Sequence, residues 1–251
     1  MTWFAVAGAN RGIGYGLAKA IAGRPNTVVF AAARDATAQS LTDLAASHPN
    51  VYPVKFVAGD KASNQAAIAE IQKSAGQLDV VIANAGISNY FGPVGTTPVS
   101  QFKDHWEVNT LGVIVLFQAA QDLLLASPTG TPIFALISTG AASIAQFYNA
   151  AMGAYGSSKA AANFIVKALD AENPKLVSLA IHPGWVATDM GNGGAKAFGM
   201  EQAPVTVEDS VNGVLSRIDG ATKEKSSGKF FNFARSSAGN MWDIDTDEIP
   251  W

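Results

Sequence analysis

The sequence predicts one doubly wound α/β domain, built on a seven-stranded parallel sheet with helices on both faces. Three observations predict it. Strand-length runs that are apolar nearly throughout recur along the chain, and such strands must be covered on both faces. Longer segments of helical period alternate with them, which is the rhythm of βαβ units. No Pro/Gly/Ser-rich linker divides the 251 residues, so residues 1–251 read as a single domain. With 48% hydrophobic residues there is enough apolar material for one sizeable core.

The elements follow in order. A first strand over 3–7 runs into a glycine loop and a helix over 14–22. A second strand over 27–33 ends at Arg34-Asp35, and Asp35 is placed to cap a helix over 36–47. A strand over 51–57, a helix over 64–75 and a strand over 80–83 come next. The segment 99–126 is long for a globular helix, so a bend is expected, with Gly112 as its candidate point. Strand 133–137 ends at Ser138-Thr139 and is followed by a helix over 154–172 and a strand over 177–182. Residues 191–204 hold four glycines with little periodicity and read as a loop. Loops after strand C-termini cover the ligand crevice of such sheets, so the stretch at about 190–206 reads as a substrate lid or as a long connection. A helix over 207–219 and a strand over 229–233 complete the sheet.

Composition excludes several classes. The formal net charge is −3, which gives no footprint for nucleic acid or an anionic membrane surface. There is no cysteine, hence no disulfide and no thiolate metal site. No set of histidines and carboxylates has metal-ligand spacing, and no metal is expected. His48 and His105 read as surface or packing residues, and His182 lies at a strand end just before Pro183. The segment after Met1 lacks a basic n-region, and the apolar runs are strand-length. The expectation is a cytoplasmic protein with no membrane partner.

The glycine loop is Gly8-Ala9-Asn10-Arg11-Gly12-Ile13-Gly14. Its glycines permit a tight turn and let backbone N–H groups approach a pyrophosphate at a helix N-terminus. Where an acid at the end of the second strand would select NAD, Arg34 offers a guanidinium to the extra phosphate of NADP, and Arg11 could offer another. Asp35 would repel that phosphate unless it points away. NADP(H) is therefore the expected cofactor.

Tyr155 and Lys159 lie one helical turn apart, on one face of a helix. A free tyrosine, with a pKa of about 10, is a poor base at neutral pH, and a nearby ammonium favours its phenolate. The pair can thus serve as an acid/base, and the same ammonium could hold the nicotinamide ribose. Ser138 and Thr139 are the candidate hydroxyls for polarising a carbonyl.

Together these features resemble the short-chain dehydrogenase/reductase family over essentially the whole chain. Residues 7–14 resemble its T-G-x-x-x-G-x-G loop, with Ala7 in place of threonine. Asp60 resembles its adenine-contacting aspartate. Ala83-Asn84-Ala85-Gly86 resembles N-N-A-G, with alanine first. Asn109 matches an asparagine that completes a proton relay through water to the lysine. Tyr155 and Lys159 match Y-x-x-x-K, and Pro183-Gly184-Trp185-Val186-Ala187-Thr188 matches P-G-x-V-x-T, which meets the nicotinamide and phosphates. The resemblance implies a Rossmann-type fold, with Tyr155, Lys159 and these motif residues around the cofactor. By register it puts Thr139 in the catalytic hydroxyl position, followed by a short insertion; Ser138 and then Ser143 are the alternatives. The strand end at Arg34-Asp35 and the residues from Phe230 to Trp251 resemble a fungal carbonyl and polyketide ketoreductase branch.

The implied activity is NADPH-dependent reduction of a ketone or aldehyde. NAD-linked alcohol oxidation or epimerisation on the same fold, and a non-catalytic dinucleotide sensor, remain open. Tyr90, Phe91, Phe147, Tyr148, Trp185 and Phe198 are the candidate substrate-facing aromatics and would suit an aryl or polyketide-like carbonyl. The helices at 99–126 and 154–172 would either pair with another subunit in a homodimer or tetramer, as the resemblance implies, or cover their own sheet.

Overall fold

The computed structural model describes residues 1–147, 150–234 and 246–251. A single Rossmann-type domain contains a seven-stranded sheet, every pairing of which is parallel. The strands are β1 (Thr2–Ala7), β2 (Thr27–Ala33), β3 (Val51–Lys55), β4 (Val80–Ala83), β5 (Ile133–Ile137), β6 (Val177–His182) and β7 (Lys229–Asn232). Their spatial order is β3-β2-β1-β4-β5-β6-β7. The winding direction reverses between β1 and β4, and a crevice opens beyond the strand ends at such a switch point.

Period-two alternation divides the core. Ala5 and Ala7 of β1 face one layer and Phe4 and Val6 the other. The first layer includes α3 (Lys61–Ala75), α5 (Gly112–Leu125) and α6 (Gly153–Glu172) and is filled by Phe30, Phe134 and Phe230. The second is covered by α1 (Gly12–Ala22), α2 (Gln39–Ser47) and α8 (Val207–Asp219), with Leu17, Ile21, Leu41 and Val214 inside.

Local chemistry moves several boundaries. The second helix starts at Gln39 rather than residue 36 because Asp35 does not cap it. Its carboxylate instead accepts the Thr37 amide (2.9 Å) and the Thr37 hydroxyl (2.6 Å), closing an Asx turn. The segment from 99 is α4 (Val99–Trp106), a π-helical turn at Glu107–Leu111, and α5. The irregularity is thus an inserted turn, not a bend at Gly112, whose missing Cβ lets α5 approach Ala58 closely. Contrary to the strand-length reading of the apolar runs, the helical run Val99–Leu125 is long and apolar enough to cross a bilayer by length and composition. Here Val113, Leu116, Phe117, Ala120 and Leu124 pack it onto the sheet.

The expected loop at 191–204 is helical in its first half: α7 spans Asp189–Ala197. Thr188 caps it, its hydroxyl accepting the Gly191 amide at 3.1 Å. That cap outweighs the low helix propensity of three glycines. A 3₁₀ turn at Gly140–Ala142 and the short α9 (Lys223–Ser226) also lay outside the sequence pattern.

Phe134 is fully buried where its ring meets Phe117 edge-on in the centre of the sheet. Phe134→Ala should lower unfolding stability by about 3–5 kcal/mol, from lost burial and the cavity left behind. Urea denaturation checks it.

Candidate active site

The switch point opens into one large cavity of about 870 Å³ at the carboxyl ends of the strands. The glycine loop forms one end. Gly8 and Gly12 adopt positive φ, +75° and +55°, a backbone region L-residues avoid. A side chain on Gly14 would overlap the carbonyl oxygen of Gly8, so α1 can begin this close to the loop only with glycine there. No side chain caps α1, and its first turn carries no acid. The free N–H groups and positive dipole end therefore face the cavity as an anion cradle. Asn84 braces the cradle from β4, its amide donating to the carbonyls of Ala7 (3.0 Å) and Gly8 (3.3 Å). Ser40 adds a bond to the Asn10 carbonyl at 2.7 Å.

Gly8, Asn10, Arg11, Gly12, Ile13, Arg34, Asn84, Ala85 and Gly86 all line the cavity. Arg34 is exposed at the end of β2 and makes no ion pair among the described residues. Asp35 does not line the cavity; its carboxylate is engaged by Thr37, which also holds its pKa below the usual carboxylate value. The repulsion expected of it is turned aside. Arg11 pairs with Asp189 at 3.6 Å, but both side chains are largely exposed, and such a pair is weak enough to yield to a phosphate. Asp60 stands outside the lining and caps α3, accepting the Ser63 amide at 3.0 Å.

The other end of the cavity is built by α6. Tyr155, Ser158, Lys159, Ala162 and Asn163 share its buried face, and Tyr155 and Lys159 reach the lining. Lys159 is 4% exposed and donates to the Ile137 carbonyl at 2.8 Å. No carboxylate pairs with it among the described residues. Burial alone lowers its pKa to about 8, so the ammonium persists at neutral pH. Thr139 and Ser138 both line the cavity. The Ser138 hydroxyl donates to the Asn163 carbonyl oxygen at 2.6 Å. Thr139 only accepts, from the Ala141 amide at 3.3 Å, which leaves its hydroxyl proton available. Ser143 lies outside the lining and bonds the Pro250 carbonyl.

Asn109 sits behind the wall, in the π turn, with its side chain occupied. It accepts the Ile87 amide (2.8 Å), donates to the Ile87 carbonyl (2.9 Å) and donates to the Ser158 hydroxyl (3.0 Å). That clamp ties the floor after β4 to α6. His105, read as a packing or surface residue, is fully buried, and its ring meets Tyr155 edge-on at 6.3 Å. Its position on the helix before the π turn gave no sequence signal of that contact.

Over the cavity lies the segment 183–198. Pro183, Gly184, Trp185, Val186 and Thr188 line it, with Met190 and Gly194 of α7. Trp185 donates to the Gly191 carbonyl at 2.9 Å and so pins α7 above the strand ends. Phe198 meets Phe91 and Trp185 edge-on at 5.9 and 6.1 Å, and all three line the cavity. Of the other expected aromatics, Tyr90 packs over Gly92 outside the lining, Phe147 is 77% exposed, and Tyr148 lies outside the described residues. Met152, Ile87, Ser88 and His182 line the cavity without having been singled out as site residues.

A doubly wound sheet with an uncapped, glycine-cradled helix at its switch point is the architecture of a dinucleotide-binding protein. The chain belongs to the short chain dehydrogenase family, whose model matches residues 2–197. It is 40% identical over 258 aligned positions to a norsolorinic acid ketoreductase of Dothistroma septosporum, covering all of this chain and 92% of that protein. Among solved structures it is similar to NADPH-bound carbonyl reductase from chicken fatty liver, at 30% identity and a TM-score of 0.82, covering 93% and 96% of the two chains. The carbonyl reductase Sniffer of D. melanogaster superposes with a TM-score of 0.86 at 26% identity, covering 100% and 99%.

The buried lysine makes a stability prediction. Its folded pKa of about 8 lies below the ordinary 10.5. Below about 8 the buried charge is a full cost to the folded state, relieved as pH rises toward 10.5, because the unfolded chain then binds the extra proton. The stability of the parent relative to Lys159→Met should therefore rise across that window, as measured by denaturant unfolding at stepped pH.

Proposed function

We propose that the protein reduces a ketone or aldehyde to an alcohol with NADPH. The observation that carries this reading is the pairing, in one cavity, of an anion cradle with Arg34 at one end and Tyr155, Lys159 and Thr139 at the other. NADPH-bound carbonyl reductase and the ketoreductase relative support it.

The residues fit the cofactor. The N–H groups of the Gly8–Gly14 loop would hold the pyrophosphate, and Arg34, with Arg11 once released from Asp189, would hold the additional phosphate. Ala85, Gly86, Pro183, Gly184, Val186 and Thr188 line the cavity and would border the nicotinamide end. When bound, NADPH would supply the hydride for the carbonyl carbon.

Tyr155 donates its phenolic proton to the carbonyl oxygen. The Thr139 hydroxyl bonds the same oxygen and stabilises the charge that develops there. The Lys159 ammonium favours the phenolate left on Tyr155 and would hold the ribose hydroxyls. The resemblance implies a relay through water to Lys159 at Asn109, whose side chain is committed to Ile87 and Ser158. The substrate is an aryl or polyketide-like ketone: Phe91, Trp185 and Phe198 present edges and faces that suit a flat, apolar ring system.

Two measurements test these assignments. Tyr155→Phe and Thr139→Val should each lower kcat for NADPH-dependent ketone reduction by about a hundredfold or more, with NADPH affinity retained, whereas Ser138→Ala should act through α6 packing and cost less. Turnover in Tyr155→Phe equal to the parent's would remove the mechanism. Arg34→Ala should weaken NADPH binding by about tenfold or more and leave NADH binding unchanged, read by cofactor fluorescence titration. Equal losses for both cofactors would take the phosphate away from Arg34.

A further inference from the structure

Residues 247–251 return across the sheet edge and end beneath the active-site turn. Glu248 bridges Phe231 of β7 in antiparallel fashion. The Ile249 amide donates to the Phe230 carbonyl at 2.7 Å, and the Asn232 amide to the Asp247 carbonyl at 3.0 Å. Ile249 is buried in the core layer that holds Phe134. Arg217 pairs with Asp247, and Lys229 with Glu248 at 2.9 Å. Trp251 stacks on Phe230 at 5.7 Å with an interplanar angle of 23°, and the Lys167 ammonium sits 5.6 Å from its ring centroid.

From this anchorage the segment takes hold of the turn that follows Thr139. The Ser143 hydroxyl donates to the Pro250 carbonyl at 2.6 Å and accepts the Gln146 amide at 3.0 Å. The Ala145 amide donates to the Trp251 carbonyl at 3.1 Å. Among the described residues between Thr139 and Phe147, Ser143 is the one whose side chain bonds outside this stretch. The turn connects directly to the reacting groups. Ala142 donates to the Thr139 carbonyl and Ser143 to the Gly140 carbonyl, each at 3.0 Å. On its other side, the Ala141 carbonyl lies so close to Gly156, next to Tyr155, that a side chain there would come within 2.9 Å of it.

We infer that residues 247–251 are a strap that sets the position of Thr139 against Tyr155, with Ser143 as the positioning residue through which it acts. Residues 140–154 separate these two groups, and a long connection holds its ends less firmly unless something outside it does. The strap supplies that hold from the β7 edge, in the layer that also contains α6, fastened by a buried isoleucine, a stacked tryptophan and two ion pairs. Ser143, itself outside the cavity, then acts on the reaction through geometry alone. Displacement of a catalytic group by about an ångström can cost on the order of a hundredfold in rate.

This inference rests on the reductase reading, and the test separates the two. Ser143→Ala, Ser143→Thr and Trp251→Ala are compared with the parent in aryl-ketone reduction, NADPH titration, and hydrogen exchange over 139–146. Ser143→Ala should lower kcat about tenfold or more with NADPH affinity unchanged, and Ser143→Thr, which restores a hydroxyl, should recover most of it. Exchange in 139–146 should quicken in Ser143→Ala and Trp251→Ala. Parental kcat in Ser143→Ala overturns the strap and leaves the reductase reading standing. A loss of kcat matched by lost NADPH binding also overturns it, since that is general destabilisation. If the parent reduces no carbonyl, the reductase reading falls, and exchange alone decides: unchanged exchange over 139–146 in Trp251→Ala removes the strap.

Discussion

The site depends on one buried ammonium that has no counter-charge. Lys159 lies under the strand ends with a single hydrogen bond, to the Ile137 carbonyl, and no carboxylate beside it among the described residues. A carboxylate there would stabilise the charge and also neutralise its field. Without one, the ammonium acts on what enters the cavity. The cost is the depressed pKa, which settles near 8, low enough to record the burial and high enough to keep the proton at neutral pH. The surrounding structure is arranged so that this lysine cannot escape to water. β5 gives the accepting carbonyl, α6 holds the stem on its buried face, and the Asn109 clamp fixes the wall opposite.

The far end of the cavity carries the same sign by different means. There the positive potential comes from an uncapped helix start and from Arg34, with Arg11 in reserve. A ligand that bridges both ends must be anionic along one part and rich in hydroxyls and π-surface along the rest, which is the description of a dinucleotide. The neutral amide side chains of the bracing residues are kept out of this. Asn84, Asn109 and Asn163 each use side-chain atoms to join one element to another, binding the glycine loop, the floor after β4 and the end of β5. The amides build the frame, and the cations face the ligand.

Much of this was legible in the sequence. Strands 27–33, 80–83, 133–137 and 177–182 are found as the apolar runs require, because a strand buried on both faces leaves no other pattern. The Gly8–Gly14 loop, Tyr155 and Lys159 were legible because each needs a particular residue type at a particular backbone position. Features decided by side chains meeting across the chain were not. Asp35 looked like a helix cap, but its own turn with Thr37 captured it first. The glycines of 191–204 looked like a loop until Thr188 capped a helix through them. That Asp60 also caps α3, through the Ser63 amide, is a local bond the strand pattern did not show. His105 against Tyr155, and Pro250 against Ser143, are long-range pairs that no spacing announces.

The choice between the neighbouring hydroxyls follows from the same division between frame and site. Ser138 is the first residue past β5 and is 3% exposed. Its proton goes to Asn163, one turn beyond Lys159 on the face of α6 that also carries Tyr155. A hydroxyl holding two elements together at 2.6 Å has no proton left for a carbonyl oxygen, and moving it would loosen the helix that carries the acid. Thr139 is one residue further along, where the chain has left the sheet and turned toward the cavity. Its single bond is a weak one that it accepts, so its donor can be aimed at a substrate. β-Branching restricts that aim to few rotamers, which favours a fixed catalytic donor over a flexible one. On the proposed mechanism the two hydroxyls divide the work, with Ser138 securing the geometry in which Thr139 and Tyr155 would meet the same oxygen.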